Sequence, residues 1–526
     1  PVALCRKMKA AIALCVVLAL CAMAAADPIP DTPGFSVSEI SNYALIAQSG
    51  NSGFYSVELA SQGAYDDPVY FANLVGSRYE MGYDYGVMAG TYAQDAYNAA
   101  LGGLLSSLPK PLEAIAIDLF EMFCDWQWDQ WLSKQVPQRY FDELSGLADG
   151  GNAVGVSNLD KMMSRVLVLG NLPSDLSDLR YVFHSEMDAY KSTDDLAALK
   201  DENSSETRAF LERVRTRLFA TEEHEPLGAQ CSMFGTWGDR TVNGTLFSAR
   251  NLDWASDLGL DTYKAIIVWQ PDDAIAHSAV GYTCVWGALT GMSSAGLSVA
   301  EANLEVNEDT FLGFPWLLRL RYVMEEASTL SEAWAVWELT NNTVGFNHMV
   351  ASAYDAARGP QAHAALAMET MKGYTGYFLD NDPREIEAKY IYENETITYG
   401  HAIPQALWRT NHGYDPRIRT HYMWRQLHAG QWSVERYFFA YEAFTYYENN
   451  DMQIDYLRAI NITSILGDKG DTAYQCQDSN AGENIISATF QPGEKQMWAA
   501  WENGSGSDWR PAACNTYVHF DMSAWF

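Results

Sequence analysis

The sequence predicts an α+β fold, with layered sheets covered by helices and a largely helical N-terminal region in front of them. Three observations predict it. From Tyr79 onward Met81, Tyr85, Met88, Tyr92, Tyr97, Leu101 and Leu104 recur at three to five residues, near the helical period. Cys231 to Trp254 reads as two strands joined by a turn, with β-formers Phe234, Thr236, Trp237, Val242, Leu246 and Phe247 around Asn243-Gly244. After Ala265 short β-rich runs alternate with helical ones, the pattern of helices laid on sheets.

Taken in order, residues 27–66 are polar and turn-rich, with Pro28, Pro30 and Pro33, and predict a surface lead-in. Pro68 to Gly76 predicts a short strand. Helical stretches follow the one at Tyr79, from Leu112 to about Ala220, divided by Pro137, the Asp149-Gly-Gly-Asn turn and Pro173. Trp126, Trp128 and Trp131 in this region are either core or the lining of an acyl pocket. Residues 221–230 are acidic, carry Pro226 and Gly228, and read as a linker that ends at Gln230. Ala265–Trp269, Ala279–Val285, Gly287–Met292 and Gly296–Asn303 predict strands, and Gly291 to Asn303 a strand–turn–strand unit. Phe314–Ala327 and Ser331–Leu339 predict helices, with Pro315 suited to a first turn. Asn347–Tyr354, Ala362–Glu369 and Gly373–Phe378 return to strand. The tail gives aromatic-rich helices and then strands near Asn484–Phe490, Gln496–Trp501 and Tyr517–Phe520.

The hairpin carries the chemistry. A hairpin brings residues distant in sequence to its open end, here the Cys231 thiol, the Arg250 guanidinium and the Asp253 carboxylate. Thiolate is the most readily activated side-chain nucleophile, and a nearby base and cation lower its pKa. Cutting the peptide before Cys231 would place an α-amine on the nucleophile's own residue, with a pKa of about 7.7–8.0, fit for a general base. Asp253 could hold that amine, and Arg250 the thiolate or a substrate carbonyl. A strict two-residue turn at Asn243-Gly244 conflicts with this. It sets Cys231 opposite Ser256 and leaves Arg250 roughly 20 Å along the ladder. Either the loop runs from Gly238 to Gly244 with a bulge, or Arg250 is not at the site. Arg250 and Asp253 also have opposite parity, which predicts an irregularity in the strand.

Cys231 followed by Arg250-Asn-Leu-Asp-Trp resembles the cysteine N-terminal-nucleophile (Ntn) hydrolases, above all the isopenicillin N acyltransferase family, with acid ceramidase, N-acylethanolamine acid amidase and bile-salt hydrolase as relatives. Gly76 to Gly86 resembles a segment of that family's pro-region, Gly291 to Asn303 the segment that ends in its oxyanion-hole asparagine, and Trp408-Arg-Thr-Asn-His its Thr-Asn element. The resemblance implies an αββα four-layer sandwich and self-cleavage at Gln230–Cys231. It implies a site of Cys231, Arg250, Asp253, Asn303 and Asn411, with no cofactor and no metal. One of Arg417, Arg419 and Arg425 could match a late arginine of the amidase relatives. The domains so expected are a signal peptide 1–26, a helical N-terminal fragment 27–230 and a catalytic fragment 231–526, the two fragments remaining associated. The substrate class implied is N-acyl amides, among them N-acyl lipids such as ceramides. The alternative is a non-catalytic secreted glycoprotein on the same fold that binds lipid or glycan.

Composition sets the bounds. The 526 residues are 48% hydrophobic with a formal charge of −33, a globular chain whose surface repels nucleic acid and anionic membranes. Arg6, Lys7 and Lys9, then the apolar run Ala10 to Ala26 with small residues before Asp27, predict a secretory signal peptide, hence a secreted or lysosomal protein with no span once it is removed. Six glycosylation sequons, at Asn203, Asn243, Asn341, Asn394, Asn461 and Asn503, agree with that. Cys124, Cys231, Cys284, Cys476 and Cys514 follow the signal. Five is odd, so two disulfides, with Cys476–Cys514 the favoured pair, would leave one free thiol; otherwise several are buried thiols. There is no G-x-S-x-G, H-E-x-x-H or C-x-x-C, and His401, His412, His421 and His428 are too irregularly spaced for a zinc motif. A Cys/His protease, with His348, His363 or His412 as base, is the rival catalytic scheme.

Overall fold

The computed structural model describes residues 34–526 apart from 62, 106–109, 173–175, 188–189, 191–195, 197–198, 200, 202–203, 220–229, 387, 393–394, 422–430, 468–482 and 505–507. The expected signal peptide, Asn203, most of the 221–230 linker, Asn394, Arg425 and Cys476 therefore lie outside the described residues.

The chain opens on two strands, β1 (Ser36–Ser49) and β2 (Ser52–Leu59), followed by β3 (Val69–Gly76). Of the lead-in expected over 27–66, the described part from residue 36 to 59 is instead a hairpin. Its Ser-rich strands are half exposed, so they lack the apolar alternation that marks a strand in sequence. Among the described residues six helices follow: α1 (Arg78–Leu105), α2 (Lys110–Gln130), α3 (Gln138–Ala153), α4 (Leu159–Leu169), α5 (Leu176–Met187) and α6 (Ser205–Phe219). Helices α1 and α3 touch backbone to backbone. A Cβ at Gly82 would lie 2.0 Å from the Glu143 carbonyl oxygen, and one at Gly146 2.1 Å from that of Tyr79, so only glycine fits.

The hairpin follows as β4 (Gln230–Gly238) and β5 (Gly244–Asp253). Then come β6 (Lys264–Pro271), β7 (His277–Tyr282), β8 (Thr290–Ser293), β9 (Leu297–Asn303), α7 (Trp316–Glu326), α8 (Leu330–Glu338), β10 (Phe346–Ser352), β11 (Ala365–Met371) and β12 (Tyr374–Phe378). A separate two-stranded ribbon, β13 (Lys389–Tyr392) and β14 (Glu395–Thr398), precedes β15 (Ala406–Arg409), α9 (Gln431–Asn449), α10 (Tyr456–Leu466), β16 (Asn484–Gln491), β17 (Gln496–Trp501) and β18 (Thr516–Asp521).

Sixteen strands form one continuous hydrogen-bonded run, β12-β11-β10-β9-β8-β7-β6-β3-β2-β1-β18-β17-β16-β5-β4-β15. The run folds over on itself at β1, which pairs with β2 on one side and, in parallel, with β18 on the other. The two halves face each other. Ser248 on β5 lies 2.5 Å from Ser298 on β9, and Arg250 on β5 pairs with Glu301 on β9. Helices α9 and α10 cover the outside of the β4–β5–β15–β16 half, through Phe234 against Phe444 and a Thr463–Thr489 hydroxyl contact of 2.8 Å. Helices α7 and α8 cover the other half, where Trp316 and Trp337 pack on His348. The result is the expected αββα sandwich. The N-terminal residues are woven into it, since β3 also runs parallel to β6 with Tyr70 opposite Ala265. No described helix is long and apolar enough to cross a membrane.

Other expectations are corrected. Cys124 and Cys284 are free and buried, so they form no second disulfide; the favoured Cys476–Cys514 pair involves a residue outside the described set. Asn461 is buried in α10 with its amide donating to the Tyr447 hydroxyl, so this sequon cannot carry a glycan in the folded chain. Asn243, by contrast, sits exposed at the hairpin tip with φ of 59°. Trp126 and Trp131 pack edge to face at 4.8 Å and Trp128 against Phe141, which is the core alternative.

Candidate active site

The hairpin register decides whether the site exists. Gly238 pairs with Gly244, a bulge follows at Trp237, and from Thr236 inward the ladder is regular: Met233 opposite Arg250, Cys231 opposite Leu252, Gln230 opposite Asp253. Cross-strand partners share a face, as do residues two apart, so Cys231 and Arg250 point the same way. The Arg250 Nη2 donates to the Cys231 sulfur at 3.8 Å. Arg250 and Asp253 keep opposite parity, since the β4–β5 ladder is regular between them: Arg250 turns inward to Glu301 on β9 and Asp253 outward to Arg436, while the register slip lies on β16, between Asn484 and Ile486. The Asn484 amide then donates to Asp253 Oδ1 at 2.6 Å.

Asn411 arrives just past β15 and is the hub. Its Oδ1 accepts the Cys231 backbone N–H at 2.7 Å and an Arg436 Nη2 hydrogen at 2.8 Å, and its Nδ2 donates to the Asn303 carbonyl at 2.9 Å. The Ser433 hydroxyl accepts its backbone N–H at 2.8 Å. All five sequence-predicted residues therefore meet in one cluster.

Sequence reasoning missed two charged partners. Arg436, on α9, donates to the Cys231 carbonyl oxygen at 2.5 Å and lies 3.6 Å from Asp253 Oδ2. It is not among the late arginines expected, Arg417, Arg419 and Arg425. Arg417 instead stacks on Tyr374 and Arg419 donates to the Lys389 carbonyl, while Arg425 lies outside the described residues. The available signal was that Arg436 is the lone cation of an aromatic-rich helix. Glu301, two residues before Asn303 and so on the same face of β9, is ion-paired with Arg250.

The electrostatics are those of a buried site in an uncut chain. Burial pushes the Cys231 thiol up to about 12, with Arg250 opposing it, so the thiol is neutral. Burial likewise raises Asp253 to about 7, with Arg436 opposing, and raises Glu301 against the pull of Arg250. A carboxyl that holds its proton more tightly when folded stabilises the fold most in acid, and that contribution is lost as pH climbs from about 4 through about 7. Asp253→Asn mimics the protonated acid. We expect it to match the wild type in urea unfolding near pH 4 and to exceed it near pH 8 by on the order of 2 kcal/mol. A difference that does not change with pH would mean that Asp253 titrates normally.

The rival base is not at the thiol. The His412 ring nitrogens engage Ser433 at 2.8 Å and Tyr414 at 2.7 Å, His363 pairs with Asp380, and His348 packs among Trp316, Trp337 and Phe346.

A cavity of about 160 Å³ opens at Cys231 and is mostly apolar, lined among others by Leu104, Val166, Leu169, Trp254, Trp316 and Phe346. Leu104 comes from α1 and Val166 and Leu169 from α4, so the N-terminal region supplies one wall. Asn303 and Glu301 line it beside the thiol.

A sandwich of two facing sheets between helices, with such a cysteine at the head of an inner strand, defines the Ntn-hydrolase class. Residues 240–505, half of the chain, match the family of acyl-coenzyme A:6-aminopenicillanic acid acyl-transferase, and the chain belongs to that family, whose chemistry is amide hydrolysis or acyl transfer. Protein dcd1B of Dictyostelium discoideum is 33% identical over 112 residues, 21% of this chain and 22% of that protein, so the match spans about a fifth of this relative. Among solved structures the chain is similar to a Caenorhabditis elegans ortholog of N-acylethanolamine-hydrolyzing acid amidase, at 14% identity and a TM-score of 0.33 over 50% of this chain and 93% of that one. It is also similar to a mutant of conjugated bile acid hydrolase from Clostridium perfringens, at 11% identity and TM-score 0.33 over 56% and 93% of the two chains. Penicillin V acylase from Agrobacterium tumefaciens gives 12% identity and TM-score 0.31 over 52% and 83%.

Proposed function

We propose that the protein is a self-activating cysteine amidase of the secretory or lysosomal compartment. One observation carries the reading: Cys231 heads its strand with its backbone N–H already held by Asn411, its sulfur beside Arg250, and an apolar cavity in front of it. In the precursor the sulfur attacks the Gln230 carbonyl carbon. The Gln230–Cys231 C–N bond breaks, a thioester forms, and the thiol proton passes to the departing nitrogen. Water then splits the thioester, giving a Gln230 carboxylate and a Cys231 that bears both thiol and α-amine.

That amine stands where the peptide N–H stood, against Asn411. It takes the thiol proton as sulfur attacks a substrate amide and returns it to the leaving amine. Asn303, on the cavity wall, is suited to donate to the developing oxyanion, a contribution of about 2.7–4 kcal/mol in comparable sites. Water, or an acceptor amine, removes the acyl group. An apolar cavity fits an acyl chain, which supports N-acyl amides, N-acyl lipids included, as substrates. The run 10–26 and the exposed sequons Asn243 and Asn341 support secretion.

The test combines fragment sequencing with a hydrolysis screen of N-acyl amides from acetyl to stearoyl, at acid and neutral pH. The expected result is a new N-terminus at Cys231 and release of amine by the cleaved protein. A single chain that persists, binds such lipids and releases nothing would establish the binding-protein alternative.

A further inference from the structure

His412 is not the base, yet it is buried next to Asn411 with both ring nitrogens engaged. Its proton arrangement follows from its neighbours. The Thr410 hydroxyl donates to the Ser433 carbonyl at 2.8 Å, so its proton is committed. The Tyr414 hydroxyl donates to the Tyr399 carbonyl at 3.1 Å, which leaves its oxygen to accept the His412 Nε2–H at 2.7 Å. Burial, with Arg409 and Arg436 adding to it, pushes the His412 pKa down to about 3, so the ring is neutral and its Nδ1 is bare. Nδ1 then accepts the Ser433 hydroxyl proton at 2.8 Å. That bond fixes the hydroxyl and turns its oxygen lone pairs to the Asn411 backbone N–H, also at 2.8 Å. From the other side the Asn347 amide donates to the carbonyls of Thr410 and His412 at 2.7 and 3.0 Å. Ser433 and Arg436 are three apart on α9 and share a face, so the same hydroxyl also seats the helix that carries Arg436.

We propose that His412 is a positioning residue, which acts through Ser433 to hold Asn411, and with it the α-amine of Cys231, in line with the sulfur. This rests on the amidase reading above. The amine must take the thiol proton along one direction, and Asn411 Oδ1, already on the Cys231 N–H at 2.7 Å, is the acceptor that orients it. A misplacement of about 1 Å in such a contact costs on the order of 10²-fold in rate. A neutral imidazole suits the place, since it accepts at one end and donates at the other without adding charge beside Arg436.

The alternative is a packing role, because the ring also lies 5.5 Å from Tyr399 and Tyr437 and 5.2 Å from Tyr414. Two substitutions separate the roles. His412→Asn keeps a polar atom at the Nδ1 position and gives up the ring. His412→Phe keeps a ring and gives up both nitrogens, and His412→Leu stands in for it if that variant does not fold. On the best amide of the screen above, His412→Phe is expected to lower kcat at least about tenfold with KM within about threefold, and His412→Asn to hold kcat within about threefold of the wild type at a lower Tm. Ser433→Ala should match His412→Phe, and joining the two should cost no more than about a further twofold. Hydrogen exchange of the residue 231 and 411 amides in the uncut Cys231→Ala chain needs no turnover; it is expected to quicken at least about tenfold with His412→Phe and to stay put with His412→Asn. A His412→Phe variant more active than His412→Asn, losses that multiply in the double variant, or exchange unmoved by His412→Phe would overturn the proposal. A wild type that releases no amine while exchange follows the expected pattern overturns the amidase reading and leaves the positioning of Asn411 standing.

Discussion

Replacing Cys231 with alanine is expected to leave one uncut chain and to lower kcat/KM on any accepted amide by at least about 10⁴-fold. In the proposed mechanism both effects have one cause, because there the sulfur frees its own general base. Without it the Gln230–Cys231 bond is not attacked, no α-amine is released, and Asn411 keeps holding a peptide N–H. The variant should nonetheless fold. The wild-type thiol is buried and neutral, so its removal leaves no unpaired charge and a void of a single atom, worth about 1 kcal/mol. Thiol reactivity gives a second readout. Cys124 and Cys284 are buried, with burial pushing the first well above the usual thiol range and the second up to about 12. A fast-alkylating thiol should therefore appear only after cleavage, and only where residue 231 is cysteine. Normal cleavage or turnover in Cys231→Ala would remove the nucleophile from this account.

The sequence carried the nucleophile strand, Asn303 and Asn411 because each lies in a short local pattern. It also showed its own difficulty. The Asn243-Gly244 signal suggests a tight turn, yet Asn243 and Gly244 close a longer loop in which Gly238 also takes positive φ, at 66°. That extra length brings Arg250 to the thiol, while Asp253, of opposite parity, meets Arg436 on the outer face, and Arg436 in turn donates to the Cys231 carbonyl. Arg436 and Glu301 were not legible because they reach the sulfur from a different helix and from the facing sheet, and no local pattern encodes such approaches. Strands β1 and β2 stayed hidden for the opposite reason. Their pairing is fixed by neighbours far along the chain, Ser36 opposite Thr516 for example, while their own half-exposed faces carry little apolar alternation.

Glu325→Ala is expected to lower the stability of the uncut chain by about 3–5 kcal/mol and, once the chain is cut, to let its two fragments separate on dilution. Glu325 on α7 accepts both Nη1 and Nη2 of Arg78 at 2.9 Å, an Arg139 hydrogen at 3.3 Å and the Tyr140 hydroxyl at 3.2 Å, and pairs with Arg321 at 3.0 Å. Glu143 on α3 answers from the other side, bonded to Arg321 at 2.7 and 2.8 Å and to Arg78 at 2.9 Å. Arg78, Arg139, Tyr140 and Glu143 precede the Gln230–Cys231 bond, and Arg321 and Glu325 follow it. Cleavage would thus divide one buried ionic network between two chains, and truncating Glu325 leaves the buried Arg78 and Arg321 sharing one buried carboxylate, Glu143, with only the exposed Asp273 besides for Arg78. The network also suits an acidic compartment. Burial raises the Glu325 pKa, but Arg321, His277 and Arg78 outweigh it and hold the carboxyl down to about 2. A depressed carboxyl pKa contributes stability that is present above its unfolded value and lost only as pH falls through the folded one, so the pair stays ionised from neutrality to well below pH 4. Size-exclusion chromatography of cleaved protein at neutral pH and near pH 4.5 measures this directly. Wild-type fragments should co-elute at both, and Glu325→Ala fragments should separate at both. Co-elution of the variant down to nanomolar concentration would shift the clasp to the strand pairs β1–β18 and β3–β6, which also cross the cut.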